Sequence, residues 1–141
     1  MKHLFTILLL ATGVVGFSQV VEIDSANAPV ITFSENLFEF GEINQGDVVE
    51  HVFAFTNTGK SPLILSNVKT TCGCTAPTWP RTPIAAGESS EILVRFNSRG
   101  KAGMQNKPIT VLSNALNSSE IIRIVTQVKV PPPPPPANPE N

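Results

Sequence analysis

The chain has 141 residues, of which 15% are charged, and its 10 Lys and Arg against 11 Asp and Glu leave a formal net charge of −1. This length fits one domain, and the near-neutral balance gives no electrostatic reason to expect binding to nucleic acid or to an anionic membrane surface. Beyond residue 18 the chain has one histidine, His51, so a catalytic triad would have a single candidate base.

The first 18 residues predict a secretory signal peptide. Lys2-His3 is a short polar start, residues 4–15 are almost wholly apolar, and Gly16 and Ser18 place small residues before a cut at Gln19. The apolar run is too short for a typical membrane span, although an uncleaved anchor is the alternative. We therefore expect an extracytoplasmic protein, located in the periplasm, on the cell surface or in the medium. Residues 19–29 are predicted to be a flexible leader.

Alternating and β-rich stretches predict an all-β domain over residues 30–130. The predicted strands, in chain order, are 30–33, 37–40, 48–57, 63–69, 91–97, 109–112 and 120–130. Turn-forming residues separate them, Gly41 is expected to close the second, and residues 98–106 are expected to form a loop. About seven or eight short strands without an amphipathic helix predict an immunoglobulin-like β-sandwich.

The period of two also predicts which side chains form the core. Phe53 and Phe55 share a face with His51, so this histidine is predicted to be a core or barrel-end residue. The other residues predicted to face inward are Ile92, Val94, Phe96, Ile122, Ile124, Val128 and Val130.

Two proline-containing segments are predicted not to form strands. Pro77, Pro80 and Pro83 recur every three residues, which favours an extended polyproline-like crossing. Trp79 within it is predicted to be an anchor packed over the sandwich, with partner contact as the alternative. Six consecutive prolines open the tail, residues 131–141. The tail is predicted to be an exposed polyproline II rod that acts as a spacer or a binding segment.

The two cysteines, Cys72 and Cys74, are separated only by Gly73. An oxidising compartment favours their pairing, and glycine can adopt backbone angles that a tight bridge needs. A three-residue loop contributes only about 1.6 kcal/mol in the chain-entropy model, so the bridge would be a weak staple that fixes a turn. A labile redox dithiol, an intermolecular bridge, and a copper or zinc site completed by His51 and Met104 are the alternatives.

A second candidate surface is basic. It comprises Arg95, Arg99, Lys101 and Lys107 around two glycines, and with Trp79 it could bind a protein or an acidic glycan; a solvated loop is the alternative. No paired carboxylates, phosphate loop or metal-binding helix is recognisable in the sequence. We therefore predict a protein that is not an enzyme and needs no cofactor.

The chain resembles a bacterial exported domain that is known only as a domain of unknown function. The segments that carry this resemblance are Phe38–Ile43, Gly46, Phe53–Gly59, Pro62-Leu63, Thr71–Thr75 (Thr-Cys-Gly-Cys-Thr) and Ile84–Glu88, followed by Ile92, Val94 and Phe96. That domain is similar to the sandwiches of the ASH, MSP and PapD-like group, so the resemblance implies fold and export. It implies no activity, and a chaperone role does not carry over because no pair of basic anchoring residues can be placed.

These observations predict an exported, non-enzymatic immunoglobulin-like module that binds a partner in the cell envelope or serves as a structural part of it. The alternative is a thiol redox or soft-metal handling protein that uses Cys72 and Cys74.

Overall fold

The computed structural model describes residues 24–134, which form eight β-strands and no helix. The strands are β1 (Ile31–Phe33), β2 (Leu37–Asn44), β3 (Val48–Asn57), β4 (Leu65–Thr70), β5 (Thr75–Thr78), β6 (Ser89–Asn97), β7 (Gly103–Ser113) and β8 (Ser119–Lys129). This part of the chain therefore contains no helix long and apolar enough to cross a membrane. The predicted signal peptide, the leader up to residue 23 and the tail from residue 135 lie outside the described residues.

The strands form two four-stranded sheets that pack face to face. The first sheet has the order β1-β3-β6-β5 and the second the order β2-β8-β7-β4. Neighbouring strands are antiparallel except for the parallel pair β2 and β8. Immunoglobulin sandwiches divide their strands in this way, with the first strand here split between the two sheets as β1 and β2. The predicted fold class and strand number are confirmed.

The core lies between the sheets, where the predicted alternation places it. Phe53, Phe55 and Phe96 are each 0% exposed, and the other predicted inward residues of β6 and β8 are buried with one exception. Val130 is 56% exposed, so its predicted core position is wrong. The reason is that β8 ends at Lys129, which pairs with Asn44, and the chain then leaves the sheet.

Gly41 interrupts β2 without ending it. The pairing with β8 shifts between Glu39 and Gly41, Gly41 has a φ of 73°, and the Thr126 hydroxyl donates to its carbonyl at 2.8 Å. Glycine is the residue that adopts this angle at a bulge without steric cost. The prediction that the strand closes here is wrong, because a bulge absorbs the extra residue and pairing resumes.

Two predicted irregular segments form strands. Pro77 lies within β5 and pairs with Val94. Because β5 is at the edge of its sheet, the missing N–H of proline is tolerated there. The predicted loop over residues 98–106 is also wrong at its end, because β7 begins at Gly103, which pairs with Val128. The strand predicted from residue 63 begins at Leu65 instead, while Leu63 forms a single bridge with Ile84.

The connection that follows β3, here called the Asn57 turn (residues 57–61), carries the chain from the first sheet to the second. Asn57 is fully buried and its side chain makes four hydrogen bonds. The amide nitrogen donates to the carbonyls of Ser61 and Ile84 at 2.8 and 3.0 Å. The amide oxygen accepts from the backbone N–H groups of Gly59 and Val30 at 3.1 and 3.4 Å. One side chain thus holds the turn, the start of β1 and the connection before β6 together.

Candidate functional site

The two cysteines lie where the chain returns from the second sheet to the first. β4 ends at Thr70 and β5 begins at Thr75, and each is an edge strand of its sheet. Residues 70–75, here called the cysteine corner, therefore join two edges of the sandwich. Cys72 and Cys74 are at disulfide distance, with Cα atoms 5.3 Å apart, as the local-bridge interpretation of the sequence requires.

The backbone of the cysteine corner is held by hydrogen bonds as well as by the sulfur atoms. The carbonyl of Cys72 accepts from the Thr70 hydroxyl at 3.1 Å and from the backbone N–H of Thr75 at 3.4 Å. The carbonyl of Cys74 accepts from the N–H of Asn97 at 2.9 Å. These bonds tie the corner to both β4 and β6.

Gly73 is exposed and has open space where a side chain would lie. It is not among the glycines with positive φ. The expectation that glycine is needed here for its unusual backbone angles is therefore wrong. The cysteine corner is thus exposed to solvent at Gly73, while Cys72 and Cys74 on either side of it are half-buried.

Thr75 is a residue of this site that the sequence did not identify. It is 4% exposed, and its hydroxyl lies 4.0 Å from the sulfur of Cys72 and 3.9 Å from that of Cys74. Among the described residues these sulfurs are the only polar contacts of the hydroxyl. The position of Thr75 directly after the second cysteine was visible, but the direction of its side chain is set by the start of β5.

His51 and Met104, proposed as further metal ligands, occupy other parts of the sandwich. The His51 ring stacks on Phe38 at 3.5 Å between centroids, and its Nε2 lies 2.7 Å from Glu35 Oε1. It thus links β3 to β2 at the rim of the core, where it is half-buried. Met104 is 67% exposed at the start of β7. The described residues contain no group of three or more His, Cys, Asp or Glu side chains arranged to hold a metal ion.

Trp79 follows β5 and packs partly against the core, which agrees with the predicted anchor. The guanidinium of Arg81 lies over its ring, 3.8 Å from the centroid, and its indole nitrogen is buried without a partner. Beside it is an open groove of about 320 Å³. The residues that line the groove are Thr78, Trp79, Pro80, Ser90, Glu91 and Leu93.

The groove continues onto the outer face of the first sheet. Leu93 pairs across strands with Val52 on one side and with Thr78 on the other, and Val52 is 41% exposed. One pair further along, Arg95 lies opposite Glu50, with 3.5 Å between Nε and Oε1. We call this surface the Trp79 face; it consists of Val52, Thr78, Trp79, Arg81, Leu93 and Arg95.

The structure divides the predicted basic surface. Arg95 belongs to the Trp79 face, whereas Arg99 and Lys101 lie in the connection between β6 and β7. Lys107 is in the second sheet, where it pairs with Ile124. The predicted partner-binding residues that the structure brings to one surface are therefore Trp79 and Arg95.

Residues 31–128 match the family model described as "Protein of unknown function (DUF1573)". No curated protein matches the chain. Similar solved structures include a protein of unknown function from Porphyromonas gingivalis W83, with 17% identity, a TM-score of 0.65, and coverage of 77% of this chain and 51% of that one. The ASH / PapD-like domain 7 of human CEP192 has 9% identity and a TM-score of 0.62, and the match covers 93% of this chain and 100% of that domain.

The secreted serine protease VesC from Vibrio cholerae is also similar over part of its length, with 15% identity, a TM-score of 0.55, and coverage of 70% of this chain and 23% of the protease. The chain thus spans about half of the Porphyromonas gingivalis protein and about a quarter of VesC. At these identities the similarities establish the fold alone, which is an all-β, immunoglobulin-like sandwich.

Proposed function

The chain belongs to the DUF1573 family of proteins of unknown function, and from this premise we propose that it is an extracytoplasmic, non-enzymatic binding module that docks a protein partner on the Trp79 face. Its location outside the cytoplasm is inferred from the predicted signal peptide. The docking surface is inferred from the outer face of the first sheet.

The observation that carries the proposal is an apolar pair on a face that is normally polar. In a two-sheet sandwich the outward residues of each strand are expected to be polar. Val52 and Leu93 break this alternation side by side, next to Trp79 and Arg81. Tryptophan and arginine are enriched where protein interfaces concentrate their binding energy. An apolar centre flanked by such residues is typical of a protein-docking surface.

A protein partner fits this surface better than a glycan does. Sugar rings bind by stacking on an open aromatic face, but the guanidinium of Arg81 already lies over the Trp79 ring, 3.8 Å from its centroid. The indole N–H is buried and does not point to a ligand in solvent. The groove beside the stacked pair combines the apolar Trp79, Pro80 and Leu93 with the polar Thr78, Ser90 and Glu91. An apolar centre with a polar rim is typical of surfaces that are buried against another protein.

Site-specific photocrosslinking in the producing cells tests the docking surface. A benzophenone amino acid replaces Val52 in one variant and Ile121 in a matched control. Val52 is 41% and Ile121 45% exposed, and they lie on the outer faces of opposite sheets. We expect a discrete crosslinked protein from position 52 that is absent from position 121, and that disappears when Leu93→Asp is added. Equal crosslinking from both positions, or none from position 52, would contradict the proposal.

Export is tested separately by the mass of the protein recovered from cell fractions. We expect the extracytoplasmic fraction to contain a chain that begins at Gln19. A chain that retains Met1 and stays in the cytoplasm would contradict the proposed location, whatever the crosslinking shows.

A further inference from the structure

We propose that Cys72–Cys74 is an exchangeable disulfide that takes two electrons from the dithiol of another protein, with Thr75 as the positioning residue that stabilises the released thiolate. This property goes beyond docking on the Trp79 face and does not depend on it. The inference combines the small size of the bridge, its accessibility and the surroundings of the Thr75 hydroxyl.

The bridge contributes little to holding the fold. It closes a loop of three residues, and the constraint that a disulfide places on the unfolded chain grows with loop length. The same corner is held by the hydrogen bonds to the carbonyls of Cys72 and Cys74. On either side, Thr70 pairs with Ile109 and Thr75 with Phe96. The sulfur–sulfur bond can therefore open while the strands that flank it stay paired.

The cysteine corner is partly open to solvent. Cys72 and Cys74 are half-buried and Gly73 between them is exposed, and no residue beyond these two neighbours lies within 4 Å of the position where a Gly73 side chain would begin. A thiolate reacts with a disulfide only if it can reach one of the sulfurs. The corner is therefore open to solvent at Gly73, between two partly exposed cysteines.

The Thr75 hydroxyl favours the reduced form of this corner. A buried hydroxyl is normally satisfied by a good acceptor, but this one has only the two disulfide sulfurs, at 4.0 and 3.9 Å, and neutral sulfur is a weak acceptor. Once the bond opens, a thiolate at either position gives the hydroxyl an ionised partner, and hydrogen bonds to ionised groups are about twice as strong as neutral ones. The hydroxyl lies equally close to both sulfurs, so it can serve whichever is released.

The exchange balances without any further reactant. One thiolate of the partner attacks one cysteine sulfur, forms a mixed disulfide and releases the other cysteine as a thiolate. The second thiol of the partner then attacks the partner's own sulfur in the mixed disulfide and releases the second cysteine. The partner's dithiol is oxidised to a disulfide, and Cys72 and Cys74 gain two electrons and the two protons.

The first test measures whether the folded protein exchanges. The full chain is equilibrated with graded ratios of reduced and oxidised dithiothreitol, then acid-quenched and alkylated, and the two forms are counted by mass spectrometry. We expect both cysteines to be reduced under native conditions while the circular dichroism spectrum stays that of the folded protein. A bridge that is reduced only after the chain is unfolded in denaturant would overturn the proposal.

The second test isolates the hydroxyl. Thr75→Val removes it with little change of shape, and Thr75→Ser keeps it. In mildly alkaline buffer we expect Thr75→Val to shift the redox equilibrium about tenfold toward the disulfide, as for one lost hydrogen bond to a charged group, and Thr75→Ser to stay near the wild type. A substitution that only lowered the stability of the fold would lower it equally in the disulfide and the dithiol forms, and the redox equilibrium between them would not shift. An unshifted Thr75→Val, or equal shifts in both variants, would overturn the role of Thr75.

Val52→Asp serves as the control that separates this inference from the docking proposal. Val52 lies on the outer face of the first sheet, outside the contacts of the two sulfurs. We expect Val52→Asp to remove docking and to leave the redox equilibrium unchanged. A changed equilibrium would mean that exchange does not reside in the cysteine corner alone, contrary to the proposal.

Discussion

The Asn57 turn and the cysteine corner perform the same topological task by different physical means. Both carry the chain between the two sheets, the first from β3 to β4 and the second from β4 to β5. The Asn57 turn is held by a buried side chain with four hydrogen bonds, and the cysteine corner carries a covalent bridge between half-buried residues. A buried polar group is costly to leave unpaired, whereas a bridge over three residues constrains the unfolded chain only slightly. The non-covalent connection is therefore expected to matter more for stability.

The largest loss of stability is expected in the core beside the Asn57 turn. Phe55, two residues before Asn57, is fully buried and its ring lies 5.6 Å from that of Phe33. We expect Phe55→Ala to lower the free energy of unfolding by about 3–5 kcal/mol, because it leaves a cavity. Urea unfolding followed by fluorescence measures the change. A loss below about 1 kcal/mol would contradict the assignment of this side chain to the core.

Asn57→Ala should lower the free energy of unfolding nearly as much, by about 3 kcal/mol, because the four hydrogen bonds of its buried amide are lost together. Asn67→Ala is the matched control, since Asn67 is exposed on β4, and surface substitutions usually change stability by about 0.5 kcal/mol or less. The same urea titration compares the two variants. If Asn57→Ala is as mild as Asn67→Ala, the four hydrogen bonds do not hold the turn.

The two connections can also be compared through their glycines. A Cβ at Gly59 would collide with the Ala28 carbonyl oxygen and the Val30 nitrogen, whereas at Gly73 it would meet nothing within 4 Å beyond the two adjoining residues. Neither glycine needs a positive φ. We expect Gly59→Ala to cost about 1–3 kcal/mol because backbone atoms must move, and Gly73→Ala to be nearly neutral. Equal melting temperatures for the two variants would show that the close approach at Gly59 is not rigid.

The smallest effect is expected at the bridge itself. Replacing both Cys72 and Cys74 by serine should lower the free energy of unfolding by about 2 kcal/mol or less, since the loop is so short. The free energy of unfolding of the wild-type protein, measured with the bridge reduced, is the value to compare with that of the double serine variant. A loss larger than that of Asn57→Ala would reverse the comparison and make the covalent bridge the principal tie between the sheets.

The sequence predicted the fold well where one rule sufficed. Strict alternation located β3 with its observed bounds and identified Phe53, Phe55 and Phe96 as core. The alternation rule failed where a glycine or proline, which usually interrupts a strand, lies at a position that accommodates it. Examples are Gly41 in a bulge and Pro77 in an edge strand. Local patterns do not reveal whether a neighbouring strand needs the missing hydrogen bond, because that depends on which strands are adjacent.

The residues of the candidate sites also divide into those evident from the sequence and those that only the structure reveals. Cys72, Cys74 and Trp79 were evident because their residue types are rare in this chain. The parts played by Thr75, Asn57 and Arg81 were not evident, since a threonine or an asparagine at the end of a strand, or an arginine in a connection, carries no distinctive pattern. Their roles depend on atoms distant in sequence or on the direction in which a side chain leaves the backbone.

The sequence alone thus determined that a bridge between the cysteines closes a loop of only three residues. Such a short loop limits the chain entropy that the bridge can remove from the unfolded state. The sequence also determined the alternating strands that make a sandwich. Only the tertiary structure decided that the cysteine corner spans the two sheet edges and that a buried hydroxyl faces both sulfurs. Packing two sheets against each other brings these groups together, and no local pattern encodes which groups will meet.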